Sequence, residues 1–198
     1  MVAELEELEV ESPITLTKLL RLSQITGGWL TDGEAKRRVG TEKLDKCQEL
    51  LQDMWDEEVG KVVVFCRFLN ELRDVCDAAN DLGYRVFPLH GKIPKDQRDR
   101  FLAAFDETRK PSVFVAQVKT GALGISLTAA SRAIYFSHDY SNIVFQQSQD
   151  RLHRIGQRHP VTYYHLLSRD TVDEAVWLAL KTKKRVSELV FKRPELLM

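Results

Sequence analysis

The chain has 198 residues and 43% hydrophobic content, the size of one ordinary domain with enough apolar material for a core. Its 29 basic and 29 acidic side chains cancel, but residues 1–60 carry 14 acidic and 7 basic side chains, net −7, and the remainder 15 and 22, net +7. Charges interrupt every apolar run, so no stretch reads as a membrane span, and the acidic opening (Glu4, Glu6, Glu7, Glu9, Glu11) does not read as a signal peptide.

A basic body behind an acidic leader is compatible with a polyanion partner, an uneven but solvated surface being the alternative. Three cysteines, Cys47, Cys66 and Cys76, are an odd number without metal-like spacing. They read as reduced thiols of an intracellular protein, and no metal site is expected.

In chain order, Leu16, Leu19, Leu20, Leu22 and Ile25 predict a short helix stopped by Gly27 and Gly28. The stretch TDGEAKRRVG has no periodic core and reads as an exposed loop. Leu44, Cys47, Leu50, Leu51 and Met54 predict a second helix. Residues 1–60 thus read as a helical connector, and residues 61–198 as the main domain.

From Lys61 the pattern is regular. KVVVFC predicts a buried strand, and Asn70 a cap for a helix over Leu72, Val75, Ala79 and Leu82 that stops at Gly83. RVFPL is the second strand, and Pro94 opens a helix through Phe101, Leu102 and Phe105. SVFVAQ is the third strand, followed by the loop KTGALGIS, and AIYFS the fourth. A helix over 142–153 and the turn RIGQRHP lead to a fifth strand, VTYYHLL. Thr171 and Glu174 form a capping-box pair that opens a terminal helix through Val176, Leu180 and Val186. Strands alternating with helices predict an α/β fold, a mostly parallel sheet of about five or six strands covered on both faces. Ligands of such sheets bind outside the carboxyl ends of the strands.

Three loops at those ends carry chemistry. HGKIP (His90–Pro94) follows the second strand. KTGALGISLTAA (Lys119–Ala130) follows the third, and its glycines let backbone N–H groups approach a phosphate, a plain turn being the alternative. QQSQDRLHRIGQR (Gln146–Arg158) places Arg151 and Arg154 three apart, on one face of the expected helix, with Arg158 just beyond. A planar, permanently charged fork suits a triphosphate, and a solvated basic helix paired to Asp150 is the alternative. His138, His153 and His165 read as scattered, hydrogen-bonded structural residues. Trp55 and Trp177 read as core, Trp29 as packing of the connector, and the KTKKR run (Lys181–Arg185) as a solvated helix face.

Taken together, VVVFCRF, LHGKIPKDQRDRFLAAF, VFVAQVKTGALGISLTAASRAIYFSHDYS and QSQDRLHRIGQ resemble, in order and content, the later helicase motifs of the Swi/Snf family of superfamily-two ATPases. RLHRIGQ is the most specific of these strings. The resemblance covers Lys61 to about Arg193, and LTKLLRLSQITGGWL resembles the segment entering this lobe from the first one. It implies a RecA-like three-layer sandwich, the C-terminal lobe of a DNA-dependent ATPase that tracks double-stranded DNA.

By position, the resemblance implies arginine fingers at Arg151 and Arg154, and nucleotide-side roles for Gln147, Gly121 and Gly124. It also implies DNA contacts at Arg67, His90, Gly91, Lys92, Lys119, Thr120 and Ser126. Ser126 stands where the family usually has asparagine, and Tyr140, Ser141 and Asn142 replace its tryptophan-asparagine-proline. The second of these departures and the lack of a long insertion resemble the compact bacterial or phage branch. That branch implies a cytoplasmic protein, and a eukaryotic source a nuclear one.

The chain has no G-x-x-x-x-G-K-[ST] phosphate loop and no D-E-x-H site. In this family both lie on the first lobe, which holds ATP and magnesium. The chain therefore reads as a piece that begins inside a longer protein, a short natural gene being the alternative. Its expected partners are double-stranded DNA and the first lobe of the same polypeptide, with no membrane. The isolated lobe is not expected to hydrolyse ATP. A stand-alone module that binds nucleic acid or a partner without catalysis is the competing function. An RNA helicase lobe is disfavoured, because those typically end in H-R-x-G-R-x-G-R.

Overall fold

The computed structural model describes residues 13–32, 35–184 and 186. The acidic run from Glu4 to Glu11 and Arg185 of the basic run lie outside the described residues. Five strands form one parallel sheet: β3 (Lys61–Cys66), β4 (Arg85–Leu89), β5 (Ser112–Gln117), β6 (Arg132–Tyr135) and β7 (Thr162–His165), in the order β4-β5-β3-β6-β7. The all-parallel pairing, in register from Val62↔Val113 on one side and Val62↔Arg132 on the other, demands crossover helices. The fold is α/β and RecA-like.

The period-two rule shows in the central strands. Val62, Val64, Cys66, Val113, Val115, Ile134 and Phe136 face one layer, with Cys47, Leu51, Leu72 and Val75 of α2 (Glu42–Asp56) and α3 (Leu69–Asp81). Val63, Phe65, Phe114, Ala116, Ala133 and Tyr135 face the other. There they meet Phe105 of α4 (Lys95–Glu107), Ile125, Leu127 and Leu152. Strands buried on both faces explain why KVVVFC and SVFVAQ are unbroken apolar runs with no alternation.

The leader packs against the domain. Helix α1 (Pro13–Thr26) lays Leu19 on Val172, Ala175, Val176 and Ala179 of α6 (Val172–Thr182). A polar node closes this joint: the Asp173 carboxylate accepts from Thr26 Oγ1 (2.9 Å) and the Ser168 N–H (3.1 Å), and pairs with buried Lys43. Helix α2 contributes to the sheet's own core, so its packing is that of a covering helix.

Five expectations need correction, the last of them the reading of the histidines as scattered. TDGEAKRRVG is not a loop: β1 (Trp29–Asp32) and β2 (Ala35–Arg38) form an antiparallel hairpin. Tertiary contacts hold it, for Trp29 Nε1 donates to Asp74 (2.6 Å), and Arg38 pairs with Asp74 (2.6 Å) while stacking on Trp29. Asn70 does not cap α3. Phe68 holds the cap position, and the buried Glu71 carboxylate reaches back to the N–H groups of Phe68 (3.0 Å) and Arg67 (3.2 Å). At α6 Thr171 is the cap, accepting from the Asp173 N–H (3.2 Å), but the carboxylate that reaches back is that of Asp173 rather than Glu174. Finally, α5 spans Asn142–Gln149 and ends before both arginines.

His138 and His165 are not scattered. Their rings stack and share a 2.8 Å hydrogen bond between Nε2 and Nδ1. Trp177 and Tyr135 pack against the pair. Burial lowers both pKa values, to about 3 for His138, with the neighbouring His165 and Lys43 adding to the effect, and to about 4 for His165. The two imidazoles are therefore neutral packing groups across the physiological range.

Candidate nucleotide and nucleic-acid rim

The carboxyl ends of β3, β5 and β6 converge on a knot of charge. Arg67 follows β3, with its guanidinium 3.6 Å above the Tyr140 ring and 3.8 Å from Asp139. Lys119, at the start of the loop after β5, lies 3.5 Å from the same carboxylate oxygen. Asp139 itself is buried and accepts from the Ser141 N–H at 3.1 Å. Arg67 also anchors the rim through its backbone: its N–H donates to Ser137 Oγ (2.8 Å), and its carbonyl accepts from Gln117 Nε2 (3.1 Å). A buried carboxylate between two cations fixes the ends of three strands relative to one another. Asp139 was missed by sequence reasoning, and its only signal was its place at a strand's carboxyl end.

Beneath this knot Glu71 carries the strain of burial. It is fully enclosed, accepts from Ser137 Oγ as well as two backbone N–H groups, and its Oε1 has no hydrogen-bond partner among the described residues. Burial raises its pKa to about 7 against the opposing hydrogen bonds and Lys43. A side chain at Gly27 would bring its Cβ within 2.1 Å of Glu71 Oε1, which explains glycine at the end of α1.

The loop after β5 opens with a 3-10 helix (Val118–Leu123) that contains Gly121. Gly124 ends it at φ +69°, a left-handed conformation that favours glycine. The arginine segment is fastened to the rest of this loop. The Leu127 N–H donates to the Arg151 carbonyl (2.8 Å), and Gln157 Nε2 reaches the carbonyls of Ala130 (2.8 Å), Thr128 (3.2 Å) and Leu152 (3.3 Å). Gln157 is therefore a clamp joining two loops, a role the sequence alone did not reveal. Gly156, at φ +106°, makes the turn that brings it round.

The arginines do not share a helical face, because α5 ends at Gln149. Beyond Gln149 the backbone keeps two α-type bonds, Asp150 N–H to the Gln146 carbonyl (3.0 Å) and His153 N–H to the Gln149 carbonyl (2.9 Å), mixed with 3-10-type bonds from Arg151 and Leu152, and then turns. Arg151 is half-buried, and its Nε is enclosed without a protein acceptor among the described residues. Arg154 is exposed beside an open cleft of about 430 Å³, lined also by His153, Gln157, His159 and Pro160. An enclosed guanidinium nitrogen without an acceptor suits an incoming anion.

The other predicted site residues separate into inward and outward groups. Gln147 is half-buried on α5, which packs against the 3-10 helix. Thr120 is turned inward, and its hydroxyl donates to the Gln117 carbonyl at 2.5 Å. Ser126 is half-buried, 3.3 Å from the Thr128 hydroxyl. Arg67, with its side chain 11% exposed, faces Asp139 and Tyr140 within the lobe, and its Nη1, like Nε of Arg151, is enclosed without an acceptor among the described residues. Gly91, Lys92 and Lys119 stand open. His90 Nδ1 accepts from the Lys92 N–H (3.3 Å), which makes its ring a brace for that turn.

Among the described residues no group of three or more His, Cys, Asp or Glu side chains is arranged to hold a metal ion, and no helix is long and apolar enough to cross a membrane. The rim's donors are guanidinium, ammonium, amide and backbone N–H groups. They match phosphate oxygens and do not fit magnesium as ligands.

Residues 42–156 match the family described as "Helicase conserved C-terminal domain". The chain is 30% identical over 145 residues to the human protein "SWI/SNF-related matrix-associated actin-dependent regulator of chromatin subfamily A member 1", covering 71% of this chain and 14% of that one. In structure it is similar to the C-terminal part of the Fun30 ATPase domain, with a TM-score of 0.64 and 27% identity over 69% of this chain and 44% of that one. It also shares its fold with the Sulfolobus solfataricus SWI2/SNF2 ATPase core in complex with dsDNA, with a TM-score of 0.65 and 24% identity over 90% of this chain and 38% of that one. The chain spans between 4% and 19% of the length of the curated relatives it matches.

Proposed function

The chain belongs to the helicase conserved C-terminal domain family, on its Swi/Snf branch, and from that premise we propose that it is the second lobe of an ATP-driven motor on double-stranded DNA. The observation that carries the reading is the fastening of the arginine segment to the loop after β5 by Leu127–Arg151 and Gln157. These bonds tie the segment that carries groups suited to a triphosphate to the loop that begins at Lys119. A shift at one end must move the other, which is what coupling hydrolysis to DNA movement requires.

In this reading Arg151 and Arg154 face the nucleotide across a cleft completed by a first lobe. They stabilise charge on the transferring phosphoryl group. ATP and magnesium are held chiefly by residues outside this chain. Lys92 and Lys119 lie along the DNA backbone, with Arg67 behind them at the end of β3, while Thr120 holds the rim in shape.

The test is duplex binding by the chain, followed by fluorescence anisotropy with two unrelated sequences across a salt series. Binding is expected to be weak and nearly independent of sequence, and to fall linearly with the logarithm of salt, with a slope of about −0.9 per phosphate contacted. Strong preference for one duplex, or affinity indifferent to salt, contradicts the reading.

A further inference from the structure

The hairpin that replaces the expected loop brings charge to a place the sequence does not advertise. Strand β2 is exposed along its whole length, and its side chains alternate between two faces. Lys36 and Arg38 face α3: Lys36 Nζ lies 3.4 Å from Asn70 Oδ1, and Arg38 pairs with Asp74. Arg37 lies between them and projects to the opposite face of the ribbon.

Asn70 opens the first turn of α3, just beyond the carboxyl end of β3, so Lys36 sits at the rim. Arg73 stands one turn further along the same helical face, exposed and without an ion pair or hydrogen bond among the described residues. Helix α3 packs against β4, whose carboxyl end leads into the turn that carries His90 and Lys92, and the charges of Arg73 and Lys92 add to burial in lowering the pKa of His90. Lys92 is exposed and begins the turn's open side. Lys36, Arg73 and Lys92 thus stand on three neighbouring elements. The acidic residues of α3 do not cancel it. Asp74 is taken by Arg38 and Trp29, and Asp77 and Asp81 lie further along the helix, away from the rim.

We propose that Lys36, Arg73 and Lys92 form a continuous contact track for the phosphate backbone of nucleic acid, with the hairpin extending the footprint beyond the loops at the strand ends. The proposal rests on the DNA-motor reading and deepens it. Three exposed cations on neighbouring elements, two of them without an ion pair or side-chain hydrogen bond among the described residues, match a row of phosphates by charge. Arg37 supplies an internal control, since it carries the same charge on the same strand but faces away.

The test measures duplex affinity and its salt dependence for the chain and for Lys36→Ala, Arg73→Ala, Arg37→Ala and Lys119→Ala. Thermal melting serves as the check of folding, and Lys36→Ala, Arg73→Ala and Arg37→Ala, at exposed side chains, are expected to leave it unchanged. Lys36→Ala and Arg73→Ala are each expected to weaken binding by roughly fivefold or more at low salt and to make the salt slope shallower by about 0.9. Arg37→Ala is expected to change affinity less than about twofold.

Equal losses for Arg37→Ala and Lys36→Ala overturn the track, because the effect is then one of overall charge. Loss for Lys119→Ala with none for Lys36→Ala or Arg73→Ala overturns the track and leaves the DNA reading standing. Absence of duplex binding by the unaltered chain overturns both. Displacement of duplex by polyglutamate as effective as that by unlabelled duplex, at matched charge, overturns the nucleic-acid assignment in favour of an acidic protein segment.

Discussion

In a two-lobed ATPase carrying this chain as its second lobe, Arg154→Ala is expected to lower kcat by roughly a thousandfold, in the range known for arginine fingers. Arg154 is exposed beside an open cleft, next to a glycine turn held by Gln157, so it can enter the space that a first lobe would close. Its charge matters most when negative charge redistributes on the transferring phosphoryl group, so the chemical step should suffer more than ground-state binding. DNA affinity without nucleotide should change little, because the cleft that Arg154 lines includes neither Lys92 nor Lys119. Arg154→Lys should rescue poorly, since an ammonium lacks the planar fork. Arg151→Ala is expected to follow with a comparable loss. Near-normal kcat in a well-folded Arg154→Ala protein removes the residue from the mechanism, and a loss that merely tracks a lower Tm leaves it without a catalytic role.

The second large effect concerns Glu71. Its folded pKa of about 7 stands above its ordinary value of 4.5, because burial disfavours the carboxylate. The folded state therefore holds an extra proton between those values. The stability contributed by that proton is fully present below about 4.5 and is lost as pH rises through about 7. The loss amounts to about 3 kcal/mol, from roughly 1.4 kcal/mol per unit of pKa difference. Urea unfolding of the chain and of Glu71→Gln at pH 5, 6, 7 and 8 isolates this contribution as the difference between the two, since other groups titrate alike in both. The chain should lose stability relative to Glu71→Gln as pH rises. A difference that stays constant across the series shows that Glu71 does not titrate in this range.

Much of the fold was legible because its physics is local. KVVVFC, RVFPL and SVFVAQ are β-branched or aromatic runs bounded by Gly83, Pro94 and polar turns, and each became a strand. Gly83 stops α3 at φ +90°, as its position implied. What the sequence hid depends on distant partners. The hairpin shows no alternating apolar pattern, and it forms because Asp74, some forty residues on, receives both Trp29 and Arg38. The end of α5 is set by bonds across the chain: Leu127 takes the Arg151 carbonyl and Gln157 takes that of Leu152. An i, i+3 spacing cannot foresee that. Glu71 displaced Asn70 as the capping group because a buried carboxylate could serve Ser137 and two backbone N–H groups at once.

The candidate site divides the same way. Arginine and lysine positions were visible in sequence, but their roles were not separable there. Arg67 and Lys119 look alike in sequence and both face Asp139, but Tyr140 stacks on the first, which is 11% exposed, and the second is 67% exposed. Likewise Lys36 and Arg37 are adjacent in a polar stretch, and only the pairing of β2 puts them on opposite faces.

The central claim is that this chain completes a nucleotide site without containing one. Steady-state phosphate release tests it most directly, with magnesium, ATP and saturating duplex, for the chain alone and for the chain joined to a phosphate-loop lobe of its own family. The account predicts no turnover by the chain alone and about 1 s⁻¹ or more for the joined protein, within the usual enzyme range. Turnover of that order by the chain alone, or none by a folded joined protein, contradicts it.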